Sequence, residues 1–138
     1  MNSFVSTVLV IEDDHSVAEL IACFLAHAKL RPVIAPDGAA GLLQARALLP
    51  DLIFCDSCMP GLSGMEVIEK LRSEPATALI PVILMSGHAA ERFDGSGANA
   101  FLQKPFRMTE MLALTERFVC EQSSVIADEI GHAAECGV

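Results

Sequence analysis

Five short apolar runs, separated by longer amphipathic stretches, set the tightest limit on how this chain folds. They are Thr7–Ile11 (TVLVI), 32–35 (PVIA), 52–55 (LIFC), 81–85 (PVILM) and Ala100–Gln103 (AFLQ). The runs at 7–11, 52–55 and 81–85 are continuous rather than alternating. A strand with one wet face alternates apolar and polar residues, whereas a strand covered on both faces does not. Between the runs the period changes to that of a helix. Val17, Leu20, Ile21, Phe24, Leu25 and Ala28 define one face, and Ala39, Leu42, Leu43 and Ala47 a second. Val67, Ile68 and Leu71 define a third, and Met108, Met111, Leu112, Thr115 and Val119 a last one. Ser16 with Glu19, or Asp14 alone, starts the first helix. Ser63 and Glu66 have the spacing of a capping box before the third.

Strands that alternate with helices build βαβ units and a parallel sheet covered on both sides. The expected fold is therefore α/β: a doubly wound (βα)5, flavodoxin-like arrangement with a five-stranded parallel sheet. One domain is expected over 1–122, because 138 residues suffice for one core and no linker or repeat divides them. The remainder, 123–138, reads as a C-terminal tail that could extend a helix.

Composition narrows the function. Eighteen acids against nine bases give a net charge of −9. Phosphate backbones are bound by clustered Lys and Arg, so nucleic acid is not expected as a partner. Without Trp or Tyr, platforms for base stacking are also scarce. No apolar run approaches the roughly 18 residues of a membrane span, and no secretory signal is visible. The five cysteines are odd in number, which argues against a disulfide framework and for a reducing, cytoplasmic setting. Cys23 and Cys55 lie in apolar runs and read as small core residues.

In open parallel sheets, ligands bind beyond the carboxyl ends of the strands. There the first run delivers Glu12-Asp13-Asp14, the third Asp56, the fourth Ser86 and the fifth Lys104. Clustered carboxylates repel one another or recruit a cation, and Mg²⁺ favours one or two carboxylates plus phosphate oxygens. A hydroxyl and an ammonium beside such an ion suit a phosphoryl group, and a carboxylate can itself be the nucleophile. Singly, each residue has a plainer reading: acids after strands cap helices, Asp makes turns, Ser-Gly and Lys-Pro lie in loops. Their agreement along one sheet edge carries the argument.

The segments VLVIEDD (8–14), LIFCDSCMPGLSG (52–64), PVILMSG (81–87) and AFLQKPF (100–106) resemble the receiver domain of two-component response regulators. The resemblance covers about 7–120. It implies phosphorylation of Asp56 by a phosphohistidine on a sensor histidine kinase or a phosphotransfer protein. It also implies Mg²⁺ held by Asp13, Asp56 and the backbone carbonyl of Cys58, with Glu12 acting through a water. Ser86 and Lys104 would contact the phosphoryl group, the latter through a cis Lys104-Pro105 bond. Ser86 and Phe101 would form the switch read by a downstream protein target. Catalysis would be limited to the domain's own phosphorylation and dephosphorylation. Cys58 and His88 occupy variable positions beside the pocket.

The segment between Ser86 and Phe101 is shorter than the family pattern and rich in glycine, so a short or irregular fourth helix is expected there. About eighteen residues follow Cys120, fewer than an output domain needs. The pattern is thus that of a single-domain regulator or a receiver taken from a longer protein. Three other readings compete. A receiver-like interaction module would work without phosphorylation, but the complete set of site residues argues against it. A redox site at Cys55 and Cys58 lacks the helix N-terminus that lowers a thiol pKa. A phosphohydrolase of the D-x-D type lacks its second Asp, which Cys58 replaces.

Overall fold

The computed structural model describes residues 5–87 and 97–122 of the 138-residue chain. The elements run β1 (Thr7–Ile11), α1 (His15–His27), β2 (Arg31–Ala35), α2 (Gly38–Leu48), β3 (Leu52–Asp56), α3 (Gly64–Ser73), β4 (Val82–Ser86), β5 (Ala100–Gln103) and α4 (Met108–Gln122). All strand pairs are parallel, in the order β2-β1-β3-β4-β5. The chain leaves β1 toward one edge and returns to pair β3 on its other side. That reversal between β1 and β3 is the topological switch point of a doubly wound sheet. Among the described residues no helix is long and apolar enough to cross a membrane.

Successive side chains of a strand point to opposite faces, and here both faces are covered. Val8, Val10, Leu52, Phe54, Ile83 and Met85 pack with α1 and α4. Leu9, Ile11, Ile53, Cys55, Val82 and Leu84 pack with α2 and α3. Every residue of β3 and β4 is buried, which explains their unbroken apolar sequence up to the polar last residue. The helix starts are set by side-chain caps. Asp14 Oδ1 accepts from the N–H groups of Ser16 and Val17, at 3.0 and 3.2 Å, so Asp14 rather than the Ser16–Glu19 pair begins α1. Ser63 and Glu66 do form the reciprocal capping box of α3.

Three helix faces differ from the sequence expectation, α4 only in that Met108, at its first position, is exposed. In α1 the buried stripe is Ala18, Ile21 and Leu25, while Leu20 is about half exposed and Cys23 is exposed rather than a core residue. Cys23 lies about 200° around the helix from Ile21, which puts it on the outer side. In α2 the buried residues are Gly38, Gly41, Leu42 and Ala45, and Ala39, Leu43 and Ala47 face solvent. The cause is proximity. A Cβ on Gly41 would lie 2.5 Å from Ile11 Cδ1, so the inward positions of α2 are small and a large Leu43 is left outside. The helix expected between β4 and β5 falls largely on 88–96, and the tail on 123–138; both lie outside the described residues, as does His88.

Gly41→Ala tests this packing. Helix propensity favours alanine by up to about 1 kcal/mol, while overpacking costs about 1–3 kcal/mol. A net loss of stability is expected in thermal denaturation; a higher melting temperature would show that α2 moves away from β1 freely.

Candidate functional site

The carboxyl ends of β1, β3, β4 and β5 lie along one edge of the sheet. Glu12 directly follows β1, and its N–H still bonds to Ala35 O at 3.1 Å, continuing the ladder by one residue. Its carboxylate is 1% exposed. Oε1 accepts from Lys104 Nζ at 2.7 Å, and Oε2 accepts from the Asp14 N–H at 3.1 Å. Asp56, the last residue of β3, is buried, with Oδ1 3.2 Å from the same Lys104 Nζ. Asp13 is exposed. One carboxylate oxygen from each of Glu12, Asp13 and Asp56 lies within 4.8 Å of the others. A cleft of about 430 Å³, lined in part by Asp13, Asp37, Pro60 and Leu62, opens beside Asp13.

Backbone contacts hold this edge together. The Lys104 N–H donates to Ser86 O at 2.7 Å, and the Lys104-Pro105 bond is cis. Ser86 is buried at the end of β4 and pairs in register with Gln103 of β5. Phe101, opposite Leu84, is 38% exposed. On the other side of Asp56 the start of α3 approaches very closely. A Cβ on Gly64 would stand 2.4 Å from Asp56 O, so only glycine fits there.

Burial, reinforced by the charge of Asp56, raises the Glu12 pKa to about 7, against the opposing hydrogen bonds from Lys104 and Asp14. For Lys104, burial acts to lower the pKa. The hydrogen bond to Glu12 and the charges of Asp56 and Glu12 outweigh it, so the pKa is raised and the ammonium persists.

The structure thus brings together Glu12, Asp13, Asp56 and Lys104, and places Ser86 and Phe101 on the two strands beside them. The Cys58 side chain is exposed and is not part of the carboxylate cluster; only its backbone carbonyl was expected as a ligand. Burial and the nearby carboxylates push the Cys55 thiol well up, which removes the thiolate a redox site needs.

Residues 8–116 match the family model of the response regulator receiver domain. The chain belongs to the receiver domain family. The receiver is 37% identical over 110 residues to the DNA-binding dual master transcriptional regulator RpaA of Synechocystis, a match covering 77% of this chain and 46% of RpaA. It spans about half the length of the curated relatives it matches. Among solved structures, a putative response regulator from Chloroflexus aurantiacus superposes with a TM-score of 0.80 at 28% identity, covering 84% of this chain and 98% of that one. Response regulator TrrA from Thermotoga maritima, in complex with Mg(2+)-BeF, gives 0.76 at 26% identity, covering 83% and 99%.

The sequence reading of the receiver missed residues that act through backbone groups. Gly64 permits the close approach at Asp56. Arg72 and Asn99 hold the entry to β5. A glycine just after a predicted capping serine was a visible signal for the first; all but one of the bonds of Arg72 end on main-chain carbonyl oxygens, which have no signature in sequence.

The raised pKa of Glu12 makes stability depend on pH. The folded receiver binds this proton more tightly than the unfolded chain, so the contribution is present below the ordinary carboxylate value and is lost as pH rises through about 7. In magnesium-free denaturant titrations, wild-type stability should fall from pH 4.5 to 7 relative to Glu12→Gln, which lacks the titration. Parallel pH profiles for the two proteins would contradict the raised pKa.

Proposed function

We propose that this receiver is a phosphoacceptor: Asp56 takes a phosphoryl group from a phosphohistidine of a sensor histidine kinase or phosphotransfer protein. The observation that carries the proposal is one ammonium, Lys104 Nζ, within 2.7 Å of Glu12 and 3.2 Å of Asp56, at the carboxyl edge of a parallel sheet. In the reaction an Asp56 oxygen attacks phosphorus and the P–N bond breaks. Its electron pair returns to the imidazole, and Asp56 becomes an acyl phosphate. Lys104 meets the oxygen charge that develops, and the Ser86 hydroxyl is the hydrogen-bond donor from the neighbouring strand.

The donor set fits magnesium. Three carboxylates against one ammonium leave uncompensated negative charge, and hard oxygen ligands with open positions are what this ion prefers. Asp13, Asp56 and the Cys58 carbonyl would hold it, with Glu12 acting through water. When bound, the ion neutralises charge on the phosphoryl oxygens. The TrrA complex with Mg(2+)-BeF supports this reading for the family fold. Activity is confined to the domain's own phosphorylation and dephosphorylation.

Formation of the acyl phosphate draws Ser86 toward Asp56, and Phe101 on the adjacent strand changes its packing in response. A two-state element of this kind biases a surface only through contacts that differ between the states. The downstream target reads the side of β5 and α4, where Phe101 and Met108 are exposed. With nine bases against 18 acids, the chain as a whole suits protein partners; the DNA binding in RpaA's name describes that protein. Reduced thiols and a kinase partner fit a cytoplasmic location.

Acetyl phosphate with Mg²⁺ should phosphorylate the wild type once, as read by intact mass, and Asp56→Asn should remain unmodified because an amide is not a nucleophile. Labelling of the variant at wild-type stoichiometry would place the acceptor elsewhere. Phe101→Ala should keep phosphorylation of Asp56 but lose the phosphorylation-dependent gain in affinity for the downstream target, measured by calorimetry. A full gain in that variant would rule out the aromatic switch.

A further inference from the structure

β5 is the shortest of the described strands, four residues at the sheet edge, and only Leu102 in it is buried. It nevertheless carries Phe101 and leads directly into Lys104. Its far end is held by one side chain from another element. Arg72, near the end of α3, donates from Nε to Gly97 O at 3.1 Å, and from Nη2 to Gly97 O at 2.9 Å and Asn99 Oδ1 at 2.8 Å. From Nη1 it donates to Ala78 O at 2.9 Å and Ile80 O at 2.7 Å. A guanidinium has five N–H donors in a fixed fork, and here five bonds use them.

Asn99 completes the arrangement. Its N–H donates to Val82 O at 2.8 Å, and its side-chain Oδ1, already bound by Arg72, accepts from the Val82 N–H at 2.9 Å. The Asn99 carboxamide therefore ties the first residue of β4 to the entry of β5, and Arg72 ties both to α3. Gly97 lies against the same arginine. Its φ is +92°, and a Cβ there would come within 3.1 Å of Ile68 Cγ2 and 3.3 Å of Arg72 Cγ.

We propose that Arg72, acting through Gly97 and Asn99, is the positioning residue of β5, fixing the strand on β4 so that Lys104 and Phe101 are presented in register to the Asp56 site. This rests on the phosphoacceptor reading above and adds to it a residue at the opposite end of the strand from the chemistry. The strand is held at both ends, by Arg72 and Asn99 at its entry and by the Lys104 N–H on Ser86 O at its exit. The five hydrogen bonds of Arg72 all go to the segments flanking β4, so Mg²⁺ binding at Asp13 and Asp56 should not depend on it.

The test uses Arg72→Ala, Arg72→Lys and Asn99→Ala in the full chain, with two measurements. Amide hydrogen exchange on the free protein reads the clamp without phosphoryl chemistry. Exchange at Val82 and across Phe101–Gln103 should accelerate in all three variants, while β1 and β3 stay protected. Beryllofluoride with saturating Mg²⁺ reads the site. Its affinity should fall on the order of tenfold in Arg72→Ala, because a displaced ammonium no longer meets the phosphoryl mimic, while affinity for Mg²⁺ alone is unchanged. Arg72→Lys, with one point charge for a five-bond fork, should recover part of the loss; Asn99→Ala should reproduce part of it.

Unchanged exchange in β5 would overturn the clamp. Faster exchange with undiminished beryllofluoride affinity would overturn its positioning role and leave it as scaffolding. A parallel loss of Mg²⁺ affinity would do the same, since it would signal general destabilisation. A wild type that takes up no beryllofluoride would overturn the phosphoacceptor reading itself, and the positioning role with it.

Discussion

The site depends on a single ammonium group reaching two carboxylates from across the sheet. Like charges about 4 Å apart repel by about 4 kcal/mol at the effective dielectric of a partly buried site. Glu12 and Asp56 are both buried, and Lys104 Nζ lies between them. The strand order determines which residue can do this. β5 is separated from β3 by β4, two strand spacings or roughly 9.6 Å from backbone to backbone, and β1 lies one strand further. No single side chain covers that distance, so the long, flexible lysine is met by the carboxylate side chains of Asp56 and Glu12 reaching out from their own strand ends. The residue at the end of the intervening strand is Ser86, one of the smaller side chains.

That requirement propagates into the fold. Glu12 and Lys104 are 92 positions apart in sequence, so the site exists only once the whole sheet has formed. The covering helices must then seat closely enough to bury both faces without crowding the strand ends. The chain achieves this with missing side chains. Gly41 lets α2 lie against Ile11, next to Glu12, and Gly64 lets α3 start against the carbonyl of Asp56. Gly41 faces the residue before Glu12, and Gly64 faces Asp56 itself. The geometry of the site and the packing of the helices are one problem.

Sequence alone disclosed the parts of this molecule that follow from burial and from strand direction. Solid apolar runs meant strands covered twice, and the ends of those runs marked the edge along which Glu12, Asp13, Asp56, Ser86 and Lys104 lie. The helix faces were less legible. In α2 the inward stripe is glycine, glycine, leucine and alanine, so a reading that follows large apolar residues turns the helix toward Leu43 and the wrong side. Cys23 was misjudged for the same reason, since apolar company in sequence is not burial in a helix. The Arg72 clamp was illegible for a different one. Four of its five bonds end on main-chain carbonyls, which every residue possesses.

The distribution of burial also makes β5 the strand on which the proposed conformational response would disturb least packing. Moving a residue of β3 or β4 would disturb side chains packed on both faces, and close-packed interiors resist such changes. β5 pairs with one neighbour only, buries Leu102 alone, and leaves Phe101 partly in water. Rearranging it sacrifices the least packing of any strand bearing a site residue. A strand that is easy to move is also a poor support for a charge that must sit within hydrogen-bond reach of two carboxylates. The proposed clamp, which fastens the chain just before the strand at Asn99 and just after it at Lys104, reconciles the two demands. The backbone ends stay in register, Lys104 keeps its place, and freedom remains for the side chain at Phe101 between them.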